Sequence, residues 1–285
     1  MAGNFWLSSH NQQWILTEEE LASELANDLK TLSEEEYRKL QIFFSHFIQS
    51  LGECLKLRQQ VIATATVYFK RFYSRTSLKC VDPLLLAPTC LYVASKVEEC
   101  GLMSNTRLLN ACNTICKNKY NYAYPMEYPY RINQILECEF YLLEIMDCCL
   151  IVFHPYRPLT KYVSDMAQEG SILPYAWRVV NDSLRSDVSL LYPPYMIALA
   201  AIYMACVFEK RDCQQWFSEL NVNMERILEI VRRILSLYEI WRNFDEKKEV
   251  PGLLMKMPKP KCNPGSRPSS ATPMSRQHTP SPNLC

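Results

Sequence analysis

The amino-acid sequence predicts an all-α protein made of two tandem five-helix repeats, and three observations support that class. The chain repeats itself: Pro83–Ala94 reads P-L-L-L-A-P-T-C-L-Y-V-A, and Pro194–Ala205 reads P-Y-M-I-A-L-A-A-I-Y-M-A. One constant offset carries Pro83 to Pro194, Ala87 to Ala198, Tyr92 to Tyr203 and Ala94 to Ala205. Two copies of one apolar helix imply two copies of the domain around it. A second, shorter offset carries Ile135-Leu136-Glu137 to Ile227-Leu228-Glu229, so the second copy is abbreviated between its third and fifth helices. Finally, apolar residues recur at helical spacing along most of the chain.

The elements follow in order. Residues 1–36 form an N-terminal helical segment with large apolar groups at Phe5, Trp6, Trp14 and Ile15. Ser33 and Glu36 make a capping box that opens the next helix. Over residues 37–51, Leu40, Phe44, Phe47, Ile48 and Leu51 line one face of that helix. Residues 58–75 repeat the pattern with Val61, Ala65, Tyr68, Phe69 and Phe72. From Leu84 to Val97 the chain is apolar nearly all round, as expected of a helix buried at the centre of its domain. Asp82 and Pro83 supply its N-cap and first-turn proline. A shorter helix starts near Ser104 and runs through Leu108, Leu109 and Cys112. Residues 117–129, with two prolines and many aromatics, read as a loop, and a long helix spans about Tyr130 to Met146. His154-Pro155-Tyr156-Arg157-Pro158 punctuates the chain. The first repeat is therefore set at 37–152 and the second at 153–248, with helices near 158–167, 174–186, 194–208, 212–220 and 224–243. Residues 249–285 are rich in proline, serine and threonine and are expected to be disordered. Thr272-Pro273, Thr279-Pro280 and Ser281-Pro282 are minimal proline-directed phosphorylation sites, a dipeptide type common in any such tail.

Composition narrows the function. A hydrophobic content of 48% in 285 residues suits packed domains, and a formal net charge of +1 argues against binding that depends on a strongly basic surface. No run approaches the ~18 apolar residues of a membrane helix, and the N-terminus lacks a signal-peptide pattern, so a soluble intracellular protein is expected. Thirteen cysteines contain no C-x-x-C, and the four histidines show no repeated spacing to them. Reduced thiols in the core, with no metal site and no cofactor, are expected. Only Gly52, Gly101 and Gly170 fall within residues 4–250, so neither G-x-G-x-x-G nor G-x-x-x-x-G-K-S/T can be drawn.

One residue breaks the repeat. Lys96 in the first copy stands where the second has Val207. A position that accepts valine in one copy does not need lysine to fold, so Lys96 is a candidate for function, although a lone lysine on a helix is ordinarily just solvated.

Two five-helix repeats whose third helix ends Ala94-Ser95-Lys96-Val97-Glu98-Glu99 resemble the cyclin box. Leu57-Arg58-Gln59-Gln60-Val61-Ile62-Ala63-Thr64-Ala65, followed by Tyr68-Phe69-Lys70-Arg71-Phe72-Tyr73, resembles its second helix. Met1–Trp6, Leu32–Tyr37, Ile135–Leu143, His154–Pro158 and Tyr192-Pro193-Pro194 resemble the transcriptional branch of the cyclin family that serves the Mediator kinase module. The resemblance covers roughly residues 1–250.

It implies a nuclear, non-enzymatic regulatory subunit that activates a cyclin-dependent kinase of the type 8 class by packing against the kinase's mobile C-helix. Large Mediator kinase-module subunits are implied as further partners, with no direct nucleic-acid or membrane contact. The family's contacting lysine falls on Lys96 and its partner glutamate is placed on Glu137, with Val97, Tyr141 and Met146 supplying apolar contact and Glu99 a neighbouring one. Phe5, Trp6 and Trp14 are implied kinase-specificity contacts, though such aromatics serve cores as readily. Trp177, Asn181 and Asp182 are placed in a groove between the repeats. Tyr37-Arg38-Lys39-Leu40-Gln41 departs from the docking patch of cell-cycle cyclins, which implies targeting through other subunits. The alternative is a DNA-binding factor of the transcription factor IIB type, which also has two cyclin-like repeats but needs a basic face and usually a zinc ribbon. A thiol enzyme built on Cys138 or Cys148 ranks third.

Overall fold

Helix starts are set by side chains that satisfy the otherwise unpaired N–H groups of the first turn. In the computed structural model, which describes residues 3–101, 103–167, 170–220 and 222–258, Thr17 and Ser33 each form a complete capping box, with Glu20 and Glu36 respectively. Asp82, Ser104 and Asn223 cap three further helices through their side chains. No strand occurs among the described residues.

The N-terminal segment is a 3-10 turn, Phe5–Leu7, followed by α1 (Ser9–Gln13) and α2 (Glu18–Leu25). The first repeat comprises α3 (Glu34–Cys54), α4 (Gln59–Tyr73), α5 (Pro83–Val97), α6 (Asn105–Asn118) and α7 (Ile132–Ile145). The second comprises α8 (Tyr156–Asp165), α9 (Ile172–Ser183), the single turn α10 (Val188–Leu191), α11 (Pro194–Phe208), α12 (Gln214–Glu219) and α13 (Met224–Asn243). The sequence did not anticipate α10, a four-residue turn too short to leave a periodic pattern. The chain closes with α14 (Glu246–Lys256).

The helix that is apolar all round is central in each repeat. α5 packs against α3, α4, α6 and α7, and α11 packs against α8, α9, α10 and α13. Pro88 lies inside α5 and has no N–H for the carbonyl of Leu84. The hydroxyl of Tyr128, from the loop before α7, donates to that carbonyl at 3.4 Å, so a loop residue repairs the break in the central helix. Gly52 marks the tightest approach of α3 to α4: a Cβ there would lie 2.5 Å from Ile62 Cγ1.

The two cores meet where Ala63 and Val67 of α4 touch Leu184, with Val152 and Tyr156 packed around them. The N-terminal segment straps both repeats together. Trp14 is fully buried, with the Arg75 guanidinium 4.0 Å and that of Arg71 4.9 Å from its ring. The Leu16 N–H donates to Leu190 O at 2.8 Å, and Glu18 pairs with Arg233 of α13.

The expectation of a disordered tail from residue 249 is corrected over its first part. α14 returns to α3, burying Val250, Leu253 and Met257 in the core of the first repeat. Lys39–Glu249 at 2.8 Å, Lys256–Glu36 at 2.6 Å and a His46–Glu246 contact pin it there. Pro251 lies inside this helix and offers no N–H to the carbonyl of Lys247. Residues 259–285, which hold the three proline-directed dipeptides, lie outside the described residues.

Candidate partner-docking face

The C-terminus of α5 projects Lys96 because of how that helix ends. Cys100 N–H donates to Ser95 O at 3.0 Å and Glu99 N–H to Lys96 O at 3.2 Å, the paired bonds of a Schellman cap. Glu99 takes the left-handed conformation that this cap requires, at φ 51°. The chain therefore turns away sharply, leaving Lys96 and Glu99 exposed and Val97 half-buried against the first core. Lys96 lies above the ring of Tyr92, one turn back, at 4.3 Å, and its ammonium donates to the carboxylate of Glu139 on α7. The Lys96 side chain is 42% exposed and that of Glu139 16%.

The carboxylate that meets Lys96 is thus Glu139, and the placement of the partner on Glu137 is corrected. Two residues along a helix is about 200° of rotation, so Glu137 and Tyr141 lie on the opposite flank of α7. Both are exposed, and Tyr141 keeps about half its surface in solvent. Phe140, the next residue round α7 from Glu139, is 72% exposed. Sequence reasoning missed both residues, yet the signal was present. The offset that carries Ile135 to Ile227 carries Glu139 to Val231, the same charged-to-valine contrast that singled out Lys96, whereas Glu137 maps to Glu229.

Met146, expected at the contact face, is fully buried at the end of α7 and belongs to the first core. Just beyond it, Asp147 and Cys148 are both left-handed, at φ 50° and 55°. Arg75 ties this corner to α4, donating to Ile145 O at 3.0 Å and to Asp147 Oδ2 at 2.5 Å. Ile151 follows, exposed. The first repeat therefore presents an ion pair seated on the Tyr92 ring, between helices whose C-terminal ends are held by the cap after α5 and by Arg75 after α7.

The floor beneath the face is a polar relay. Glu98 accepts from Gln60 Nε2 at 2.7 Å and from Thr64 Oγ1 at 2.6 Å, and Thr64 Oγ1 lies 2.7 Å from His154 Nε2. A hydroxyl has one proton; because it goes to the carboxylate, His154 donates its Nε2–H to Thr64. Burial, helped by the nearby Arg71 charge, lowers His154 to about 3 and keeps the ring neutral. His10 accepts from the Phe153 N–H through Nδ1 at 3.0 Å. Burial first, then the Arg71 charge, take His10 down to about 2, with His154 adding to the effect only once it protonates. Arg71 is itself fully buried, donating to Cys149 O at 3.3 Å, and burial lowers it to about 9.

The N-terminal aromatics divide. Phe5 packs edge-on against Phe153 and His10, each at 5.5 Å. Trp6 is exposed beside Tyr195 of α11 at 5.6 Å. Trp14 is corrected from specificity contact to core residue, since no part of it reaches solvent. Between the repeats, Trp177 stacks on Tyr156 at 4.6 Å, and Asn181 accepts from the Tyr156 hydroxyl at 2.8 Å. Asp182 accepts from Arg185 at 2.8 Å and from Tyr238 at 3.0 Å. A cavity of about 100 Å³ lies at the same junction, with Gln41 and Ile42 of α3 on one side and Arg185 and Leu237 on the other. Asp182 borders it through Arg185, whereas Trp177 and Asn181 do not line it. Burial pushes the Cys138 thiol up to about 12, which removes it as a nucleophile.

Among the described residues no helix is long and apolar enough to cross a membrane. Residues 13–151 match the cyclin N-terminal domain, and residues 154–241 match the cyclin C-terminal domain. The chain belongs to the cyclin family. It is 65% identical to Cyclin-C of Rattus norvegicus, over 93% of this chain and 94% of that one. Cyclin-C of Drosophila melanogaster is 61% identical over 93% and 99%, and that of Caenorhabditis briggsae 39% over 91% and 95%. Solved structures share the cyclin fold at lower identity. One is the Chaetomium thermophilum CAK complex bound to ATP-gamma-S, with TM-score 0.65, 18% identity, and 89% and 87% of the two chains covered. Another is the yeast TFIIK (Kin28/Ccl1/Tfb3) complex, with TM-score 0.63, 22% identity, and 82% and 99% covered.

Proposed function

We propose that this cyclin is the regulatory subunit of a cyclin-dependent kinase of the type 8 class, acting in the nucleus within the Mediator kinase module on RNA polymerase II transcription. The observation that carries the reading is the Lys96–Glu139 pair at the end of α5, seated over the Tyr92 ring. The identity to proteins named Cyclin-C supports the choice of kinase class.

The chain contributes no catalytic group in this reading. Its rigid helix ends offer a charged pair able to bond a partner's backbone, with apolar groups around it to exclude water and strengthen those bonds. A surface that binds only the active arrangement of the kinase C-helix shifts the kinase toward that arrangement. Moving a two-state kinase from about 1:99 to 99:1 takes about 5.5 kcal/mol of differential binding. Phe5 and Trp6 extend the face as specificity contacts. Trp177, Asn181 and Asp182 mark the groove where a large module subunit docks.

The test is reconstitution. The purified chain is mixed with kinases of the type 2, 7 and 8 classes, and phosphorylation of a polymerase C-terminal-domain peptide is measured. Selective activation of the type 8 kinase, lost in Lys96→Glu, is expected. Equal activation of all three, or of none, would overturn the proposal.

A further inference from the structure

The three proline-directed dipeptides of residues 259–285 have no part in the kinase reading, and neither has the cavity of about 100 Å³ between the repeats. Three arginines line that cavity, each from a different element: Arg38 from α3, Arg185 from the turn between α9 and α10, and Arg233 from α13. Gln41, Ser186 and Ser236 add polar groups to the wall. There is room for several waters, and so for a tetrahedral phosphate in their place. The Arg38 side chain is 43% exposed, so the cavity reaches solvent on that side.

Two buried polar groups on the wall have no partner. Arg185 lies over the Trp241 ring at 4.5 Å, and its Nε is buried without an acceptor. Gln41 is 5% exposed; its Nε2 donates to the Tyr37 hydroxyl at 2.9 Å, and its Oε1 is unpaired. The same amide turned by 180° keeps the Tyr37 bond, the hydroxyl now donating to Oε1, and puts Nε2 in the unpaired place. Buried donors left without acceptors cost free energy, which an acceptor-rich ligand recovers.

Carboxylates are present too, and their positions decide the balance. Asp187 is the one carboxylate among the described lining residues, and the buried Lys70 ammonium lies 3.5 Å from it. Glu34 meets Arg38, Glu18 and Glu229 meet Arg233, and Asp182 meets Arg185, none of the four on the cavity wall. Glu18, Glu34 and Glu229 keep 61%, 69% and 40% of their side-chain surface in water, so their pairs are weak and yield to a stronger anion. A guanidinium has five N–H donors, and one or two carboxylate contacts do not exhaust them.

The chain's own segment 259–285 leaves from beside this cavity. Lys256 meets Glu36 at 2.6 Å, so the described chain ends against the first turn of α3. Arg38 stands two residues further on and round the flank, about one helix diameter (~10–12 Å) away. Thr272 follows Pro258 by 14 residues, a length that spans up to about 46–50 Å. Residues 259–285 carry lysine and arginine but no aspartate or glutamate, so unmodified they are repelled by the three guanidiniums. Phosphorylation reverses the sign. The hydroxyl oxygen bonds to the γ-phosphorus of ATP as ADP leaves, and the hydroxyl proton passes to the kinase's base. The residue gains about −1.5 to −2 charge and three acceptor oxygens. We propose that the cavity between the repeats is a phosphate-reading site, and that its occupant is this chain's own segment 259–285 once phosphorylated at Thr272, Thr279 or Ser281. The inference does not depend on the kinase class proposed above, since any proline-directed kinase supplied with ATP can place the phosphate.

The test uses the full chain and fluorescent peptides of residues 266–285, unmodified or phosphorylated at Thr272, Thr279 or Ser281, read by anisotropy. At least one phosphopeptide is expected to bind about tenfold or more tightly than the unmodified peptide. Arg38→Gln and Arg233→Gln should each weaken it by about fivefold or more, with helical signal and melting little changed. Lys96→Glu should leave it within about twofold, which separates this site from the kinase face. Phosphorylating the full chain with a purified proline-directed kinase and ATP should block the added peptide, because the tethered copy already fills the cavity. Alanine at the responsible site should restore binding. Equal binding of all four peptides, or insensitivity to both arginine variants, would overturn the proposal. So would a fully phosphorylated chain that still takes up the peptide undiminished. Displacement of the peptide by inorganic phosphate at equal concentration would mean a free-anion site, and equal binding of a peptide with aspartate in place of the phosphorylated residue would mean an acidic segment of another protein; either result overturns the tail as occupant.

Discussion

Replacing Lys96 with alanine should cost little in stability and much in partner affinity, and the gap between the two is the measurement. In the free chain the substitution removes an ion pair whose ends are 42% and 16% exposed, and a cation–ring contact at 4.3 Å. An exposed pair contributes about 0.2–1 kcal/mol, and a cation–π contact at an exposed site about 0.5–1 kcal/mol. The total is at most about 2 kcal/mol, a fall in Tm of no more than about 8 °C for a protein of this size. When a partner covers the face, the ammonium and carboxylate lose water. Truncating one member of such a pair then costs about 2–5 kcal/mol, or about thirtyfold to several-thousandfold in Kd. Isothermal titration with the purified type 8 kinase reads the affinity, and thermal melting reads the stability. Lys96→Glu, which sets like charges against each other at Glu139, should bind more weakly still. A cycle through Lys96→Ala, Glu139→Gln and the double variant should show coupling of about 1 kcal/mol or more, whereas Glu137→Gln should be uncoupled. If Lys96→Ala binds the kinase within about threefold of the parent chain, the assignment of this face is wrong.

Three further outcomes are expected. Trp14→Ala should lower stability by about 3–5 kcal/mol, the cost of emptying a large aromatic site, and limited proteolysis should then cut ahead of α2; an unchanged melt would mean that the N-terminal strap is dispensable. Gly52→Ala gains about 1 kcal/mol in helix propensity but forces a methyl to within 2.5 Å of Ile62 in a full core, costing about 1–3 kcal/mol. The net effect should be a lower urea midpoint, and a higher one would show that α4 yields. The pH dependence has a definite sign: His10 is held neutral in the folded chain, down to about 2, but protonates near 6.5 when unfolded. Stability is therefore complete above about pH 6.5 and falls as pH drops below it, by about 2 kcal/mol at pH 5 from His10 alone. His154, which keeps part of its surface in solvent, adds less. His10→Asn retains an acceptor for the Phe153 N–H, so its melting temperature should fall less steeply from pH 7 to 5; an unaltered slope would count against a buried neutral His10.

Much of the fold was legible because its causes are local. Helix positions follow from apolar spacing, and helix starts from Ser33, Asp82 and Ser104, whose effects act within one turn. What failed was the reading of residues whose role depends on a neighbour far along the chain. The composition of residues 249–256 reads as tail, yet it is helical because α3 offers Lys39, His46 and an apolar seat for Leu253. Local pattern alone cannot show that a distant surface is waiting.

The candidate site divides the same way. From sequence alone came the duplication, the burial of its two central helices, and the charge at Lys96 that breaks their likeness. The tertiary structure decided which flank of α7 turns toward Lys96, and so chose Glu139 over Glu137. It also withdrew Met146 and Trp14 into the core and left Phe140, Val207 and Phe208 in water. The physical reason is that helical periodicity places residues around an axis, while the rotation of that axis against its neighbours is set only when all the helices pack together.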